Sequence, residues 1–318
     1  MFLTIFLLFL GLVLLLGGAD FLVRGAAALA ERIGVSPFMI GLLLIGFGTS
    51  APEMVASLES ALHGYPGLAV GNVVGSNITN ILLVLGVAGL ICPLCCERLA
   101  LRRDGMMLLI ASTMMVMAIY FDMLNRPVGI GFLIVLVAYL VFTFREDKKD
   151  QDATAELHAR EAAFVLMGPR FGLALEIVQC AGGGIALVGG ASLLVDSAVT
   201  IASETGVSDA VVGLTLVALG TSLPELAASV IAALKQKADI AVGNVVGSNI
   251  FNALSICGVV STVTDVPVPP EIASFHIWVM AVASVALIYF AFTGARISRT
   301  EGAMLFGGYC SYLFVIAF

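Results

Sequence analysis

The decapeptide AVGNVVGSNI occurs twice in the chain, at residues 69–78 and again at residues 241–250. Both copies lie inside apolar stretches, where lipid offers Asn and Ser side chains no hydrogen-bond partners. The similarity continues at the same offset of 172 residues, so that residues 11–90 align with residues 183–262. We therefore expect two related halves, each needing the same polar residues at the same place.

The composition is typical of a protein embedded in lipid. Of 318 residues, 60% are hydrophobic and only 12% are charged, whereas soluble domains carry about 25% charged residues. The first apolar run, MFLTIFLLFLGLVLLLGGADFLV, is too long for a signal peptide and lacks a basic start, so it is predicted to span the membrane. The cluster of Cys92, Cys95 and Cys96 is interpreted as small apolar filler at a helix end rather than a thiolate metal site.

Charged residues, glycines and prolines divide the apolar sequence into ten predicted spanning helices. Their bounds are 2–29, 36–62, 67–91, 101–120, 127–144, 171–202, 209–234, 238–262, 272–293 and 301–318. The predicted fold class is therefore an all-α polytopic membrane protein. The longest polar stretch, at residues 145–164, is interpreted as a solvated linker between two groups of five helices.

The basic residues predict how these helices cross the membrane. If the N-terminus lies outside and every helix crosses once, Arg126 falls on the outer side and the other 14 Lys and Arg residues fall on the cytoplasmic side. This bias is the positive-inside signal. We expect an integral protein of a bacterial inner (plasma) membrane, with both termini outside and the linker at 145–170 in the cytoplasm.

Five helices are an odd number, so the two halves enter the membrane from opposite sides. Equivalent helices then run in opposite directions, which is the inverted-topology repeat of many secondary transporters. The predicted domains are a first five-helix repeat at 1–144 with its motif region at 41–90, the linker at 145–170, and a second repeat at 171–318 with its motif region at 213–262.

The second and seventh predicted helices carry GTSAPE at 48–53 and GTSLPE at 220–225. Proline removes a backbone donor and clashes with the preceding turn, so each helix is predicted to break there. Each motif also places a glutamate, Glu53 or Glu225, near the middle of a span, where a carboxylate costs on the order of 3 kcal/mol. The break is expected to free carbonyl oxygens at Gly46 to Gly48 and at Ala218 to Gly220.

A purely structural explanation exists for part of this motif. Ser50 and Ser222 each precede a glutamate by three residues, which is the capping-box spacing that would restart a helix after proline. A kink alone, however, could use Gln or Ser at lower cost, and the glutamate occurs twice at equal depth. We therefore expect Glu53 and Glu225 to hold a positive charge, with capping keeping them in place.

The decapeptide contains glycines and polar residues with different predicted roles. The spacings Gly71-xxx-Gly75 and Gly243-xxx-Gly247 are typical of close helix packing, which leaves the Ser and Asn residues unexplained. Ser76 and Asn80 lie four residues apart and share one helix face, and the same holds for the second copy. The equivalent residues there are Ser248 and Asn252.

The resulting set of carboxylates, amides, hydroxyls and carbonyls consists of hard oxygen donors. Such donors favour Ca²⁺ or Na⁺ over zinc or copper. The histidines His63, His158 and His276 lie at helix ends or in the linker, which argues against a Ser–His hydrolase and a His-ligated metalloprotease. Neither an enzymatic activity nor a cofactor is predicted.

The motif GTSxPE followed by GNxxGSNxxN, twice and in opposite orientations, resembles the α-1 and α-2 repeats of the cation/Ca²⁺ exchanger superfamily. The resemblance is to its compact prokaryotic sodium/calcium exchangers in particular, and it covers essentially the whole chain. It implies an antiporter that exchanges Ca²⁺ for Na⁺ by alternating access at one midplane site. Ca²⁺, Na⁺ and the lipid bilayer are then the partners, with no nucleic acid and no obligate protein partner expected.

The resemblance also implies roles for individual residues. Glu53 and Glu225 would be the central carboxylates of the Ca²⁺ site and would also serve Na⁺. Asn80 and Asn252 would lie at its centre, and Ser76 and Ser248 would complete flanking Na⁺ sites. The remaining implied oxygen ligands are the side chains or carbonyls of Thr49, Ser50, Thr221 and Ser222 and the carbonyls of Gly46 and Ala218.

Asparagine at both position 80 and position 252 is a departure from some archaeal and K⁺-dependent relatives, which carry Asp at one of them. The site then has two formal negative charges rather than three, so K⁺ dependence is not expected. An H⁺-coupled antiporter using the same oxygens remains an alternative, as do a passive channel and a structural membrane protein. Helices 1 and 6 are candidates for the moving element, and Asp196 is interpreted as an ion-paired or cavity-facing residue.

Overall fold

The computed structural model describes five stretches of the chain, which are mostly helical. These stretches are residues 2–32, 46–95, 98–147, 172–236 and 238–317.

The helices follow one another closely in both parts of the chain. The first part contains α1 (Phe2–Arg32), α2 (Gly46–Thr49), α3 (Ala51–Leu62), α4 (Pro66–Ile78), α5 (Leu85–Ile91), α6 (Arg98–Tyr120) and α7 (Arg126–Asp147). The second part contains α8 (Leu173–Thr205), α9 (Asp209–Val212), α10 (Ala218–Thr221), α11 (Leu223–Leu234), α12 (Ala238–Phe251), α13 (Cys257–Val263), α14 (Ile277–Gly294) and α15 (Arg299–Ala317).

Short π-helical segments join or extend several of these helices. They are Thr79–Val84 between α4 and α5, Gly213–Val217 between α9 and α10, Asn252–Ile256 between α12 and α13, and Ile272–His276 before α14. The two strands β1 (Leu94–Cys95) and β2 (Arg296–Ile297) are two residues long and pair antiparallel. The loop after α5 is thereby tied to the loop before α15.

Seven helices of the described residues are long and apolar enough to cross a membrane, and a bent pair makes an eighth candidate span. The predicted helix at 36–62 is described only from Gly46 onward, and the predicted helix at 301–318 is present as α15, which is not among the seven. The other predicted helices appear with bounds shifted by a few residues. The chain is therefore an integral membrane protein, because apolar helices of this length need lipid around them.

Two details of the sequence-based description change. The predicted linker begins too early, since residues 145–147 are the last turn of α7; residues 148–171 lie outside the described residues. Asp196 is exposed on α8 and forms none of the ion pairs found between described residues, so the ion-pair interpretation is not supported. Cys92 is half-buried and Cys95 is exposed, while Cys96 lies outside the described residues.

Helices α1 and α8 pack along each other with their backbones in contact. A Cβ on Gly11 would lie 2.7 Å from the backbone N of Leu194, and one on Gly18 would overlap with the backbone N of Leu187. Residue numbers rise along one helix as they fall along the other, so the two helices are antiparallel. Glycine is required here because any larger residue would push the helices apart.

An ion pair closes one end of the α1–α8 contact. The Arg32 guanidinium binds Glu176 through two hydrogen bonds, with Nη2 donating to Oε1 at 3.0 Å and Nε donating to Oε2. Glu176 is buried, with 3% of its surface exposed. Since a buried carboxylate is unfavourable without a partner, this pair joins the end of α1 to the start of α8.

The core lies around α4 and α12, the two helices that carry the decapeptide. Helix α3 packs against α4 and α11 packs against α12, while α15 lies on α5 and α7 lies on α13. A Cβ on Gly71 would overlap with the carbonyl O of Ala210, and one on Gly75 with that of Leu214, so the predicted packing role of these two glycines is confirmed. No described atom lies within 4 Å of the corresponding position at Gly243 or Gly247.

The α1–α8 contact generates a prediction that compares two adjacent glycines. Gly18→Ala should destabilise the protein by about 1–3 kcal/mol, because its methyl group meets the backbone of α8. Gly17→Ala should be neutral or stabilising, because no described atom outside its own stretch of helix lies within 4 Å of its Cβ position and alanine favours a helix by about 1 kcal/mol. Thermal unfolding of both variants in detergent measures this difference, and equal unfolding temperatures would contradict it.

Candidate functional site

The site is built on two helices that break at equivalent motifs. Helix α2 ends at Thr49 and α3 begins at Ala51, and likewise α10 ends at Thr221 and α11 begins at Leu223. In both cases the intervening serine leaves the helical conformation and a proline occupies the first turn of the next helix. The second break bends the helix by 45°. The predicted breaks are therefore confirmed.

The predicted capping boxes at these breaks are wrong. Neither Ser50 nor Ser222 makes a side-chain capping hydrogen bond to the helix that follows it. A capping box of this type does occur at the start of α15, where the Ser298 backbone N donates to Glu301 Oε2 at 2.7 Å and the Glu301 backbone N donates to Ser298 Oγ at 3.3 Å. The serines of the GTSxPE motifs are thus left for other contacts.

The predicted freeing of backbone carbonyls needs a correction at Ala218. Its carbonyl accepts a hydrogen bond from the Ser222 backbone N at 3.1 Å, so it is not free. The proline at position 224 lacks an N–H, so the carbonyl one turn before it, that of Gly220, loses its regular helical donor instead. The same argument applies to Pro52 and the carbonyl of Gly48, whereas Gly46 lies at the very start of α2.

The two glutamates are buried close to each other. Glu53 and Glu225 have no exposed surface, and their carboxyl groups are near enough to interact electrostatically. The Ser222 hydroxyl donates to Glu53 Oε1 at 3.2 Å, and the Ser248 hydroxyl donates to Glu225 Oε1 at 3.5 Å. The Thr49 side chain lies beside the Glu225 carboxyl group. The second broken helix therefore contributes a hydroxyl group, that of Ser222, to the glutamate of the first.

The two predicted amide ligands are buried as well and contact the opposite decapeptide. The Asn80 amide donates to Asn249 Oδ1 at 3.2 Å, and the Asn252 amide donates to Ser76 Oγ at 3.1 Å. Each bond joins residues more than 160 positions apart. The structure thus brings the serine and asparagine residues of the two decapeptide regions together between α4 and α12.

The oxygen atoms without a hydrogen-bond partner concentrate in this region. Among the described residues, seven buried side-chain oxygens lack a partner, and six of them belong to predicted site residues. Those six are Thr49 Oγ1, Ser50 Oγ, Glu53 Oε2, Asn80 Oδ1, Glu225 Oε2 and Asn252 Oδ1. A buried oxygen without a donor costs about 1–3 kcal/mol, so a group of six is unfavourable unless a positive charge binds there.

Thr221 is also buried here, but its hydroxyl has partners. Its Oγ1 donates to Asn72 Oδ1 at 3.3 Å and also lies 3.4 Å from the Ala218 carbonyl. The Asn72 amide in turn donates to Ser57 Oγ at 2.9 Å and to the Glu53 carbonyl at 3.3 Å. Asn72 therefore links the backbone of one broken helix to the side chain of the other.

Sequence reasoning did not identify Asn72 or Ser57 as part of the site. Both have equivalents at the repeat offset, Asn244 and Ser229, which are also hydrogen-bonded to each other, at 3.4 Å. The sequence did contain a signal for these residues, because each is a polar residue that recurs in both copies of an apolar helix. The π-helical segments that begin at Thr79 and Asn252 were also missed; such segments are frequent at functional sites, and no residue pattern indicated them.

The donor chemistry of the site agrees with that expected for a hard cation. No group of three or more His, Cys, Asp or Glu side chains that could hold a metal ion occurs in the part of the chain that the structure describes. Two carboxylates together with neutral amide, hydroxyl and carbonyl oxygens suit Ca²⁺ or Na⁺, which bind oxygen, rather than a thiolate- or imidazole-ligated metal. The fold and site define an integral membrane protein with a buried oxygen-lined site between two broken helices.

Comparison with known proteins places this architecture in a family. The family described as "Sodium/calcium exchanger protein" matches residues 3–145 and 175–318, and the chain belongs to it. The putative antiporter CaxA of Alkalimonas amylolytica is 38% identical over 98% of both chains. The sodium/calcium exchanger MaX1 of Methanosarcina acetivorans is 34% identical over 98% of this chain and 97% of its own length.

A solved structure is similar along the whole chain. The structure of the sodium-calcium exchanger NCX_Mj soaked with Na⁺ and Ca²⁺ matches with a TM-score of 0.64 and 31% identity, and the match covers 98% of this chain and 97% of that one. The expected membership of the cation/Ca²⁺ exchanger superfamily is therefore confirmed.

The proximity of the two glutamates predicts that one of them destabilises the ion-free protein. Glu53→Gln should raise the unfolding temperature in buffer containing only a large organic cation, because it removes one of two buried groups of like charge. A rise of about 2 °C or more corresponds to roughly 1 kcal/mol in a protein of this size. Glu59→Gln, on the same helix but partly exposed and beside His63, is the matched control and should show no rise.

Proposed function

We propose that this protein is a secondary active transporter that exchanges Ca²⁺ for Na⁺ at the site between the broken helices. The observation that carries the proposal is the group of six buried oxygens without partners around Glu53 and Glu225. Both ions are bound by oxygen atoms, and the two carboxylates supply the negative charge that a cation needs at this depth.

Charge balance explains why such a site would exchange ions. Two glutamates neutralise one Ca²⁺, or they share several Na⁺ ions with the neutral oxygens of Asn80, Asn252 and the hydroxyl groups. Ca²⁺ and Na⁺ then compete for the same ligands. Competition at one site with alternating access produces exchange of the two ions rather than a leak. If more than two Na⁺ replace each Ca²⁺, the cycle moves net charge and responds to the membrane potential.

The proposed architecture is ten spanning helices in two inverted five-helix repeats, at 1–144 and 171–318, with a cytoplasmic linker at 145–170. Contacts that recur at the offset of 172 residues support it. Helix α15 lies on α5 as α7 lies on α13, and the Ser112 hydroxyl donates to its own equivalent, Ser284, at 3.1 Å. A contact between equivalent residues is what a two-fold relation between the repeats would produce.

The glycine contact between α1 and α8 supports a role for these helices in alternating access. Their backbones are in contact at Gly11 and Gly18, so the two helices would move together as one element. The relatives are described as a putative antiporter and a sodium/calcium exchanger, which supports cation exchange as the proposed function.

The proposal predicts that a Na⁺ gradient drives Ca²⁺ transport. Proteoliposomes loaded with Na⁺ and diluted into Na⁺-free buffer should accumulate ⁴⁵Ca²⁺, and Glu225→Gln should abolish the uptake because it removes half of the formal charge of the site. Glu59→Gln should transport at the wild-type rate, since that residue lies outside the site. Uptake is measured by filtration at fixed intervals.

The same vesicles separate the alternatives. Uptake driven by a pH gradient but not by a Na⁺ gradient would replace the proposal with H⁺-coupled exchange through the same oxygens. Ca²⁺ entry with no counter-ion on the opposite side would indicate a channel. Transport by Glu225→Gln equal to that of wild type would remove the site from the mechanism altogether.

The proposed orientation has its own test. Single cysteines introduced into a cysteine-free background at Ala155, in the linker, and at Ser203, near the end of α8, should react from opposite sides of the membrane. We expect an impermeant maleimide to label Ser203→Cys in intact cells and Ala155→Cys only after permeabilisation. Labelling of both from the same side would contradict the ten-helix topology.

A further inference from the structure

Resting on the proposed cation site, we propose that Asn249 is a positioning residue that fixes the amide group of Asn80 in one orientation. With the Asn80 NH₂ group held by Asn249, the Asn80 oxygen is the end that faces the cation. Asn249 belongs to the second decapeptide and has no assigned part in ion binding, so it acts through Asn80 rather than by touching the ion.

The hydrogen bonds around Asn249 show how the orientation is set. The Asn80 Nδ2 donates to Asn249 Oδ1 at 3.2 Å, while Asn80 Oδ1 has no partner. The orientation of Asn249 is fixed in turn, because its own Nδ2 donates to the carbonyl of Asn77 at 3.4 Å. Asn80 and Asn249 have no exposed surface, so bulk water does not compete for these hydrogen bonds.

The need for a positioning residue follows from the chemistry of the amide. An amide has one oxygen, which accepts hydrogen bonds and binds cations, and one NH₂ group, which does neither. If the Asn80 amide turned by half a rotation, its oxygen would face the oxygen of Asn249 and its NH₂ group would face the cation. Both contacts are repulsive, so the acceptor at Asn249 excludes this orientation.

The second amide of the site, that of Asn252, is held by a residue of the opposite half in the same way. The Asn252 Nδ2 donates to Ser76 Oγ at 3.1 Å, and Asn252 Oδ1 has no partner. Ser76 Oγ in turn lies 3.1 Å from the Val73 carbonyl, to which it donates. Each half therefore orients the amide of the other half with a residue of its own GSN sequence, and the first copy uses its serine where the second uses its asparagine.

An aspartate in place of Asn80 would not need this help, because both of its oxygens bind cations. This difference provides a test that a purely structural role of Asn249 would not pass. In the wild-type background, Asn249→Ala should weaken the apparent Ca²⁺ affinity by roughly 10-fold or more, the usual effect of losing a group that orients a metal ligand. In the Asn80→Asp background, the same substitution should cause no loss of affinity, because it also removes the repulsive contact between the aspartate and Asn249 Oδ1.

The matched control is Ser112→Ala, which removes a hydrogen bond between the two halves away from the site. The buried Ser112 hydroxyl donates to Ser284 Oγ at 3.1 Å. Ser112→Ala should bind Ca²⁺ with near wild-type affinity. Asn249→Leu keeps the branched arrangement of heavy atoms without an acceptor, and it replaces Asn249→Ala in the test if the alanine variant does not fold. It should show the same loss of affinity.

Affinities are measured from Na⁺-driven ⁴⁵Ca²⁺ uptake and, independently, from the Ca²⁺ dependence of the unfolding temperature. Equal losses for Asn249→Ala in the wild-type background and in the Asn80→Asp background would overturn the inference, since independent effects add. Wild-type affinity in both Asn249→Ala and Asn249→Leu would overturn it as well. A wild-type protein that neither binds nor moves Ca²⁺ would instead contradict the proposed function.

Discussion

Two buried carboxyl groups of like charge, held close together, are the constraint on which the rest of this structure depends. Glu53 and Glu225 have no exposed surface and come from different broken helices. A buried charge is unfavourable unless hydrogen-bond donors or a cation stabilise it. The break at Ser222 answers part of that requirement, because it places the Ser222 hydroxyl against Glu53 of the other broken helix.

Close helix packing lets short polar side chains of one half reach those of the other. The backbones of α4 and the segment that begins at α9 touch at Gly71 and Gly75, where any Cβ would overlap with a carbonyl oxygen. At that separation the short Thr221 side chain of α10 reaches Asn72 of α4 at 3.3 Å. The glycines of the first decapeptide therefore determine whether its polar neighbours can meet their partners.

The broken helices and the oxygen-rich residue set could be predicted from the sequence, because proline chemistry and residue type are local properties. The lack of side-chain capping at the two breaks could not be predicted from the sequence. A serine three residues before a glutamate has a choice of partners, and the Ser222 hydroxyl bonds to Glu53 of the other half rather than to its own helix. The same limit applies to Ala218, whose carbonyl stays within the helix.

The sequence by itself determined the class of protein, most of its spanning segments and many of the residues at the candidate site, since hydrophobicity and the repeated motifs are written in consecutive residues. Only the tertiary structure decided which atom meets which. The partners of Asn80 and Asn252 are Asn249 and Ser76, far away along the chain. An amide or hydroxyl group has several equivalent local partners, and the approach of a distant helix selects one of them.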